Sequence, residues 1–306
     1  MNKLTSHKFS VALVIVSLLS SQSVVGQTDV APSLETQSVA EPSVDAVESS
    51  TQFSEDEDPL SSNFIEFKGI LGAAYQSSLY LGQEYNYLPV VALTIDAEYE
   101  GWFLESNSKN RINGVMGRLY AGYHIWESES EQLDLVWGHY SPAIERKDKD
   151  DDVIPALANL EPRHDDDLLG IRYASWIGKA YYSTEVGYDI LNSTHKGIVL
   201  EAYVGKVEAV RNWDLTYGLG FTWFSAKVAD YNLGVETHEL TEYLTTYNSG
   251  AAYTFDFEFS AQVPISESWV LEVGVVHSVL SSNIKDSPLV VNGNLSSVLV
   301  GFSYVF

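Results

Sequence analysis

The sequence has no cysteine and few basic residues. The lack of cysteine excludes disulfides, a thiolate nucleophile and a cysteine-ligated zinc site. Only 17 lysines and arginines stand against 42 acids, so the formal net charge is −25 at pH 7. This charge excludes a nucleic-acid-binding protein, because neutralising phosphates requires a basic surface.

Long apolar runs are missing as well. The most apolar stretch, 9–19, follows Lys3 and Lys8 and precedes Val24-Val25-Gly26, as in a secretory signal peptide. At about ten residues it is too short to cross roughly 30 Å of hydrocarbon as a helix. We predict a signal peptide over residues 1–26 and no transmembrane helix in the mature chain. That chain is then either a soluble exported protein or a barrel that crosses a membrane.

Residues 27–62 contain no lysine or arginine. Nine acids fall in this segment among Ser, Pro, Val and Gln, without apolar periodicity. Such a composition buries too little surface to offset the entropy of ordering, so we predict a disordered acidic arm in the periplasm. The arm is either a solvated spacer or a functional tether with an end-to-end distance on the order of 35 Å.

The rest of the chain, from Phe64 onward, alternates between apolar and polar residues. In the run 213–223, large apolar and aromatic residues occupy every second position. A period of two predicts strands with one apolar and one polar face. We predict twelve strands, near 64–75, 88–99, 101–106, 114–126, 132–139, 166–176, 179–189, 197–208, 211–225, 251–262, 268–279 and 295–305.

A soluble β-sandwich would also alternate, but three features favour a membrane barrel. The runs approach the roughly nine to eleven residues of a tilted transmembrane strand. Aromatic residues recur near strand ends, as in interface girdles, and the polar faces carry charges and many glycines. We predict an all-β, transmembrane, antiparallel up-and-down barrel of about twelve strands over residues 63–306.

The predicted connections alternate in length, as they do in such barrels. Short connections belong to the periplasmic end and long ones to the outside, which places both termini in the periplasm. The long connections are predicted at 76–87, 107–113, 140–165, 190–196, 226–250 and 280–294.

The last predicted strand ends the chain on an aromatic residue. Its alternate positions are apolar, the pattern of the β-signal that the outer-membrane assembly machinery reads. An ordinary closing strand that ends in Phe is the alternative. The predicted assembly signal consists of Val298, Val300, Phe302, Tyr304 and Phe306.

Short motifs along residues 64–306 resemble the MltA-interacting protein family, also called the MipA/OmpV family. In this sequence Asn232 stands where the family usually has an aromatic residue. The motifs that carry the resemblance are GAAY at 72–75 followed by LPVV at 88–91, Asp189 with HKG at 195–197, ADYNLGV at 229–235, DSPLV at 286–290 and GFSYVF at 301–306.

This resemblance implies an outer-membrane barrel. For the family's namesake it implies a scaffold that joins a murein-degrading transglycosylase to a murein synthase, whereas other members are linked to adhesion and envelope stress. The family defines no catalytic residues. We therefore predict an envelope scaffold in the outer membrane of a Gram-negative cell, with a small-solute or cation-preferring channel as the alternative. The predicted partners are outer-membrane lipid and lipopolysaccharide, the assembly machinery and murein-processing enzymes.

The polar faces of the predicted strands carry many more acids than bases. Either arginines bridge neighbouring carboxylates in a packed interior, or the acids line a narrow path that favours cations. The charges predicted to face the lumen are Glu66, Lys68, Asp96, Glu98, Arg118, Asp134, Arg172, Glu185, Asp189, Glu201, Asp214, Asp256, Glu258 and Glu272.

The predicted outside loop 140–165 and its exit contain two acidic clusters. Carboxylates suit Ca²⁺ or Mg²⁺, but the glycine and distal glutamate of an EF-hand are absent, which favours a solvated loop. The basic residues of the loop either pair with these acids or contact lipopolysaccharide phosphate. The clusters are Asp148, Asp150, Asp151 and Asp152, then His164, Asp165, Asp166 and Asp167; the basic residues are Arg146, Lys147, Lys149 and Arg163.

Candidate catalytic residues are sparse. Ser193 and His195 near Asp189 come nearest to a nucleophile, base and acid, but they lie on a short loop without a nucleophile elbow. The seven histidines show no metal-ligand spacing. We therefore predict that the chain is not an enzyme and uses no cofactor or metal.

Overall fold

Alternating sequences form a closed antiparallel barrel in the computed structural model. The structure describes residues 63–82, 87–106, 119–140, 144, 146, 153–191 and 194–305. The predicted signal peptide, the predicted arm, Arg118 and Phe306 lie outside these residues. Among the described residues, no helix is long and apolar enough to cross a membrane.

Twelve strands pair with their sequence neighbours, and β1 closes the barrel by pairing with β12. The prediction of a twelve-stranded up-and-down barrel is confirmed, and most predicted strand ends fall within two residues of the observed ones. The strands are β1 Phe64–Gln76, β2 Tyr87–Tyr99, β3 Trp102–Glu105, β4 Tyr120–Glu127, β5 Glu131–Gly138, β6 Leu168–Ile177, β7 Ala180–Tyr188, β8 Ile198–Val210, β9 Trp213–Phe224, β10 Ala252–Pro264, β11 Trp269–Leu280 and β12 Asn294–Val305.

Connection lengths differ between the two ends of the barrel. At one end, called the turn end, short connections join the strands at 100–101, 128–130, 178–179, 211–212 and 265–268. At 100–101, Glu100 and Gly101 both have positive φ, of 49° and 81°, as tight hairpin turns between twisted strands require. Long connections meet at the opposite end, called the loop end, and include two short helices, Ala226–Leu233 and Ser282–Lys285.

The outer face of the barrel is apolar. Val91, Leu219 and Phe257, on three different strands, have 65%, 53% and 52% of their surface exposed, which suits contact with lipid chains. Aromatic side chains gather near both ends of the strands, in the positions of interface girdles. They include Tyr99, Trp102, Trp126, Trp176 and Trp269 at the turn end, and Trp137, Tyr188 and Tyr253 at the loop end.

The seam between β1 and β12 depends on two facing glycines. The register pairs Gly72 directly with Gly301. A Cβ atom at Gly72 would lie 2.4 Å from the carbonyl oxygen of Val300 and 2.7 Å from the Cα of Gly301. Only glycine allows this close approach of the two backbones, and β12 thereby closes the barrel.

On β12, Val300 and Phe302 of the predicted assembly signal lie on the outer face. Val300 and Phe302 have 45% and 46% of their surface exposed. Recognition of this strand by the assembly machinery stays a prediction.

Candidate functional site: the charged interior and the loop cap

A row of charged side chains runs through five neighbouring strands on the interior face of the barrel. The backbone register places His124, Asp134, Arg172, Glu185 and Glu201 opposite one another on β4 to β8. Alternation in sequence predicts which face each residue occupies, but only the strand register brings them into one row. The row contains three acids around a single arginine.

Arg172 ties several strands together from inside the barrel. Its side chain is 1% exposed, and Nε donates a hydrogen bond to Oδ2 of Asp134 at 3.0 Å. Nη1 donates to the Glu105 carboxylate on β3, and the guanidinium carbon lies 5.2 Å from the centre of the Phe103 ring. Burying a charge costs several kcal/mol or more, so these contacts are needed to hold the arginine and its acids away from water.

A second interior ion pair spans the seam. Lys68 of β1 contacts the carboxylate of Glu272 on β11, reaching across β12. Ser303 of β12 donates a hydrogen bond to Oε1 of Glu272 at 2.8 Å, and Gln262 of β10 lies 3.4 Å from the same oxygen. Side chains from four strands therefore meet at one buried carboxylate.

Several side chains on the interior face are buried. Asp134 and Ser303 are fully buried, and the aromatic rings of Tyr181 and Tyr203 pack together 6.1 Å apart, with only 3% and 4% of their surface exposed. A Cβ atom at Gly218 of β9 would lie only 2.1 Å from the hydroxyl oxygen of Tyr203. Glycine at this position therefore leaves room for the tyrosine ring. Water has little access to these particular side chains.

The predicted lumen charges differ in burial along the barrel. Burial does not simply follow position along the barrel, since Glu272 near the turn end is buried and Glu201 near the loop end is half-buried. Asp134, Arg172, Glu185, Asp189, Asp256, Glu258 and Glu272 are buried; Lys68, Asp96, Glu98 and Glu201 are half-buried; Glu66 and Asp214 are exposed; Arg118 lies outside the described residues.

Long connections at the loop end fold into a small hydrophobic core, called the loop cap. Isolated bridges link Tyr80 to Val290 and Val235 to Tyr247. Burying a leucine completely stabilises a fold by about 2 kcal/mol, so the core gives these connections a fixed structure. The buried members are Tyr80, Ile144, Leu157, Leu160, Ala229, Leu233, Val235, Leu244, Ala252, Leu280, Ile284 and Leu289.

The helix Ala226–Leu233 sits across the barrel mouth. Its Val228 packs in a cluster with the interior-facing Leu168 of β6 and Val199 of β8, while Leu233 belongs to the loop cap. This short helix thus contacts both the cap and the barrel wall. Alternation in sequence predicted a long loop over 226–250 without this helix, because eight residues of mixed polarity give no clear helical period.

A buried ion pair fastens two loops of the cap. Arg163 Nη2 lies 2.8 Å from Oε1 of Glu239, and the two residues are 8% and 1% exposed. The same Glu239 accepts hydrogen bonds from the backbone amides of Glu161 and Glu236 at 2.9 and 2.8 Å. Burial alone would raise the pKa of Glu239, but the two amides and the guanidinium together hold that pKa below its ordinary value.

Acid should therefore loosen the loop cap. Because the pKa of Glu239 is lower in the folded cap than in an unfolded loop, its full contribution is present above about pH 4.3 and is lost at lower pH, as Glu239 becomes protonated. Hydrogen exchange of amides 225–251 between pH 6 and pH 3 should show this loss. Replacing Glu239 with Gln should lower the free energy of local opening at neutral pH by on the order of 2 kcal/mol and flatten its pH dependence.

Glu242, an exposed acid of the same loop, supplies the matched control. Glu242→Gln should leave both the opening free energy and its pH profile unchanged. A Glu239→Gln cap that opens as rarely as the wild type would contradict this role for the ion pair.

Asp189 and His195, which the sequence places nearest to a catalytic set, make hydrogen bonds within the loop end. Asp189 Oδ2 accepts hydrogen bonds from the amides of Thr194 and Lys196 at 3.0 and 2.9 Å. His195 is buried, with Nε2 lying 3.2 Å from Asp166 Oδ2 and Nδ1 accepting from the amide of Gly197 at 3.0 Å. Both ring nitrogens are thus occupied, and Ser193 lies outside the described residues.

The acidic cluster at the loop exit divides by burial. Asp166 is fully buried and accepts a hydrogen bond from the amide of Tyr140 at 2.6 Å, so it is a structural acceptor. Asp165 is exposed to solvent. Of the basic residues, Arg163 pairs with Glu239 of another loop, and Arg146 donates to the carbonyl of Leu160 at 2.9 Å. The cluster 148–152, Lys147 and Lys149 lie outside the described residues.

Three interior or cap contacts were not predicted. The first is the contact of Glu105 with Arg172. Glu105 follows the buried Phe103 by two residues, and this alternation is the sequence signal that places Glu105 on the interior face. His195 with Asp166 and Arg163 with Glu239 join residues 29 and 76 positions apart, for which the sequence holds no local signal.

A closed antiparallel barrel with an apolar outer face, aromatic belts and buried charges defines a transmembrane barrel of the outer membrane. The chain belongs to the MltA-interacting protein MipA family, which matches residues 70–306. It is thus an outer-membrane β-barrel protein of that family.

Known proteins with similarity to the chain include two bacterial relatives and one solved barrel. The MltA-interacting protein of Escherichia coli K12 is 26% identical over 61% of this chain and 75% of its own length. Outer membrane protein Omp26La of Vibrio anguillarum is 24% identical over 51% of this chain and 61% of its own length. The solved NanC porin covers 79% of this chain and 99% of its own, with 10% identity and a TM-score of 0.40.

Proposed function

We propose that this protein is an envelope scaffold that binds murein-processing enzymes rather than a channel. The buried interior charges and rings support this proposal, because Arg172, Tyr181 and Tyr203 are shielded from water, whereas the side chains that line a solute path are in contact with it. A barrel closed in this way offers its rims and loops, rather than its lumen, to other molecules. The name of one relative, MltA-interacting protein, supports a murein hydrolase as one partner.

The turn end is the surface that we assign to such partners. With both termini in the periplasm, this rim and the arm at 27–62 would face the murein layer. The rim carries more exposed acids than bases, which favours a partner with a basic face. The exposed acids are Glu66, Glu100, Glu127, Glu129, Asp214 and Glu267, against Lys179 and Arg211.

Affinity capture from solubilised envelopes tests the scaffold. The full mature chain should recover a murein lytic transglycosylase together with a murein synthase, and recovery should fall as salt screens the acidic rim. Recovery no greater than that of an unrelated barrel would refute the proposal. A matched variant without residues 27–62 separates the two surfaces, because unchanged recovery would assign the partners to the rim and not to the arm.

A cation-preferring small-solute channel is the second candidate. The row of acids around Arg172 favours it, since carboxylates in a pore select against anions. Burial of these same acids argues against an open path.

For the remaining partners, the outer face supplies the contacts. We assign the apolar band and its aromatic belts to outer-membrane lipid, and the loop end to the lipopolysaccharide leaflet. The apolar outer face of β12 is assigned to the assembly machinery during insertion.

A further inference from the structure

Three potential metal ligands meet inside the turn end of the barrel. Glu98 of β2 and His124 and Glu127 of β4 each offer one ligand atom, and these atoms lie within 4.8 Å of one another. Nε2 of His124 is 3.8 Å from Oε2 of Glu98, which is longer than a hydrogen bond. Two ligands that each lie about 2.1 Å from a tetrahedral ion are roughly 3.4 Å apart, so this spacing suits an ion between them.

We propose that Glu98, His124 and Glu127 bind a divalent first-row transition-metal ion of the Zn²⁺ class. An imidazole nitrogen with two carboxylates suits such an ion, whereas Ca²⁺ and Mg²⁺ prefer oxygen ligands alone. Three protein ligands leave a fourth position for water. Because Glu127 is exposed at the turn end, the ion would exchange with the surrounding solution.

An irregularity in β4 brings Glu127 into this group. The register runs from His124 opposite Asp134 directly to Trp126 opposite Leu133, so one extra residue is inserted as a β-bulge. Strict alternation would place Glu127 on the lipid face together with Tyr123. The bulge instead sets Glu127 opposite the interior-facing Gln132, beside His124. Bulges that redirect one side chain in this way are common next to functional sites.

The imidazole of His124 is held in place from its other sides. Nδ1 lies 2.8 Å from Oδ1 of Asp134, a fully buried carboxylate that Arg172 also binds. A hydrogen on Nδ1 directs the lone pair of Nε2 towards Glu98, and a carboxylate behind the histidine is the usual outer partner of a metal ligand. The ring also stacks on Phe103, with centroids 4.7 Å apart and planes 21° from parallel.

The amide of Gln132 completes the surroundings of the ring. Its nitrogen position lies 2.5 Å from Nδ1 and 3.4 Å from Nε2. Because the oxygen and nitrogen of an amide exchange places when the side chain flips, Gln132 can present its oxygen to the Nδ1 hydrogen alongside Asp134.

A second group with histidine and acids lies in the loop cap and serves as a comparison. Glu161, His238 and Glu239 also offer atoms within 4.8 Å of one another. There, however, Glu239 already binds Arg163 and two backbone amides, so its oxygens are committed. The turn-end group is therefore the better metal site.

Calorimetric titration of the purified full-length mature protein in detergent with Zn²⁺ tests this site. Excess Mg²⁺ in the buffer should occupy the exposed carboxylates and those of the predicted acidic arm, so that the titration reports Zn²⁺ binding at the proposed site. We expect one Zn²⁺ per barrel, and Co²⁺ in its place should give visible absorption bands of a four-coordinate ion. His124→Gln should weaken binding by about 100-fold, and Glu127→Gln by roughly 10-fold.

Two control variants keep the result interpretable. Glu129→Gln, in the adjacent turn, and His238→Gln, in the loop cap, should each bind Zn²⁺ as the wild type does. Unchanged affinity in both His124→Gln and Glu127→Gln, or loss of binding in His238→Gln, would overturn the proposal. Heat-modifiable migration on gels checks that each barrel is folded. Glu127 is exposed, so we expect Glu127→Gln to fold. This variant therefore tests the site even if His124→Gln does not fold.

Discussion

Replacing Arg172 with Met should lower the free energy of unfolding in detergent by about 3–5 kcal/mol. The substitution keeps the apolar length of the side chain but leaves Asp134 and Glu105 without their shared cation. Asp134 is fully buried, so its charge has no access to water that could replace the lost pairing. The large cost therefore arises from the acids left behind more than from the worth of the ion pair itself.

Denaturant unfolding followed by tryptophan fluorescence measures this effect. Lys206→Met supplies the control, because Lys206 lies on the outer face near the exposed Glu208 and its loss should change stability by less than about 1 kcal/mol. Adding Asp134→Leu and Glu105→Leu to Arg172→Met should recover much of the stability by removing the unpaired charges. An Arg172→Met barrel as stable as Lys206→Met would contradict the buried network.

Replacing Gly72 with Val should prevent the barrel from closing in most molecules. A Cβ at this position would lie 2.4 Å from a backbone oxygen of β12, so one of the two strands would have to move at the seam. Backbone atoms cannot turn aside as the end of a flexible side chain can. We expect a loss of about 3 kcal/mol or more and a fall in the folded fraction.

Ala73→Val provides the matched control for the seam. Ala73 adjoins Gly72 on β1, but its side chain is exposed on the outer face, where a larger apolar residue meets lipid or detergent. Heat-modifiable migration after refolding should show a folded Ala73→Val barrel and a mostly unfolded Gly72→Val chain. Equal folded fractions in the two variants would show that β1 and β12 do not need this close approach.

Most of the barrel wall could be predicted from local sequence. A membrane strand has lipid on one face and a polar interior on the other, so its sequence alternates wherever the backbone is regular. This rule located strands such as β9, Trp213–Phe224, and β10, Ala252–Pro264, to within two residues. The rule gives the wrong face after a bulge, and the predicted strand 114–126 stopped before Glu127, so the interior position of Glu127 was not predicted.

Partners across the barrel could not be predicted in the same way. The row from His124 to Glu201 depends on the register of five strands, and a shift of one residue in any of them would move its side chains to the other face. The pairing of Arg163 with Glu239 depends on how two long loops fold over the mouth. Neither arrangement leaves a periodic signal, so the sequence supplied the charges but not their partners.

The interior and the loop cap point to the same role for the barrel. Tyr181, Tyr203 and the Arg172 network are buried on the interior face, while the helix Ala226–Leu233 packs against interior-facing residues at the mouth. A channel would leave such polar side chains in contact with water, which would weaken their ion pairs. Here the interior charges pair across neighbouring strands, and the proposed scaffold would therefore use the turn-end rim and the arm for its partners.

Single-channel recording in planar lipid bilayers tests this closed barrel most directly. The full mature protein, with insertion verified and an open porin as the positive control, should give no unitary conductance steps. Reproducible steps with a reversal potential that favours cations would contradict the packed interior and establish the channel instead.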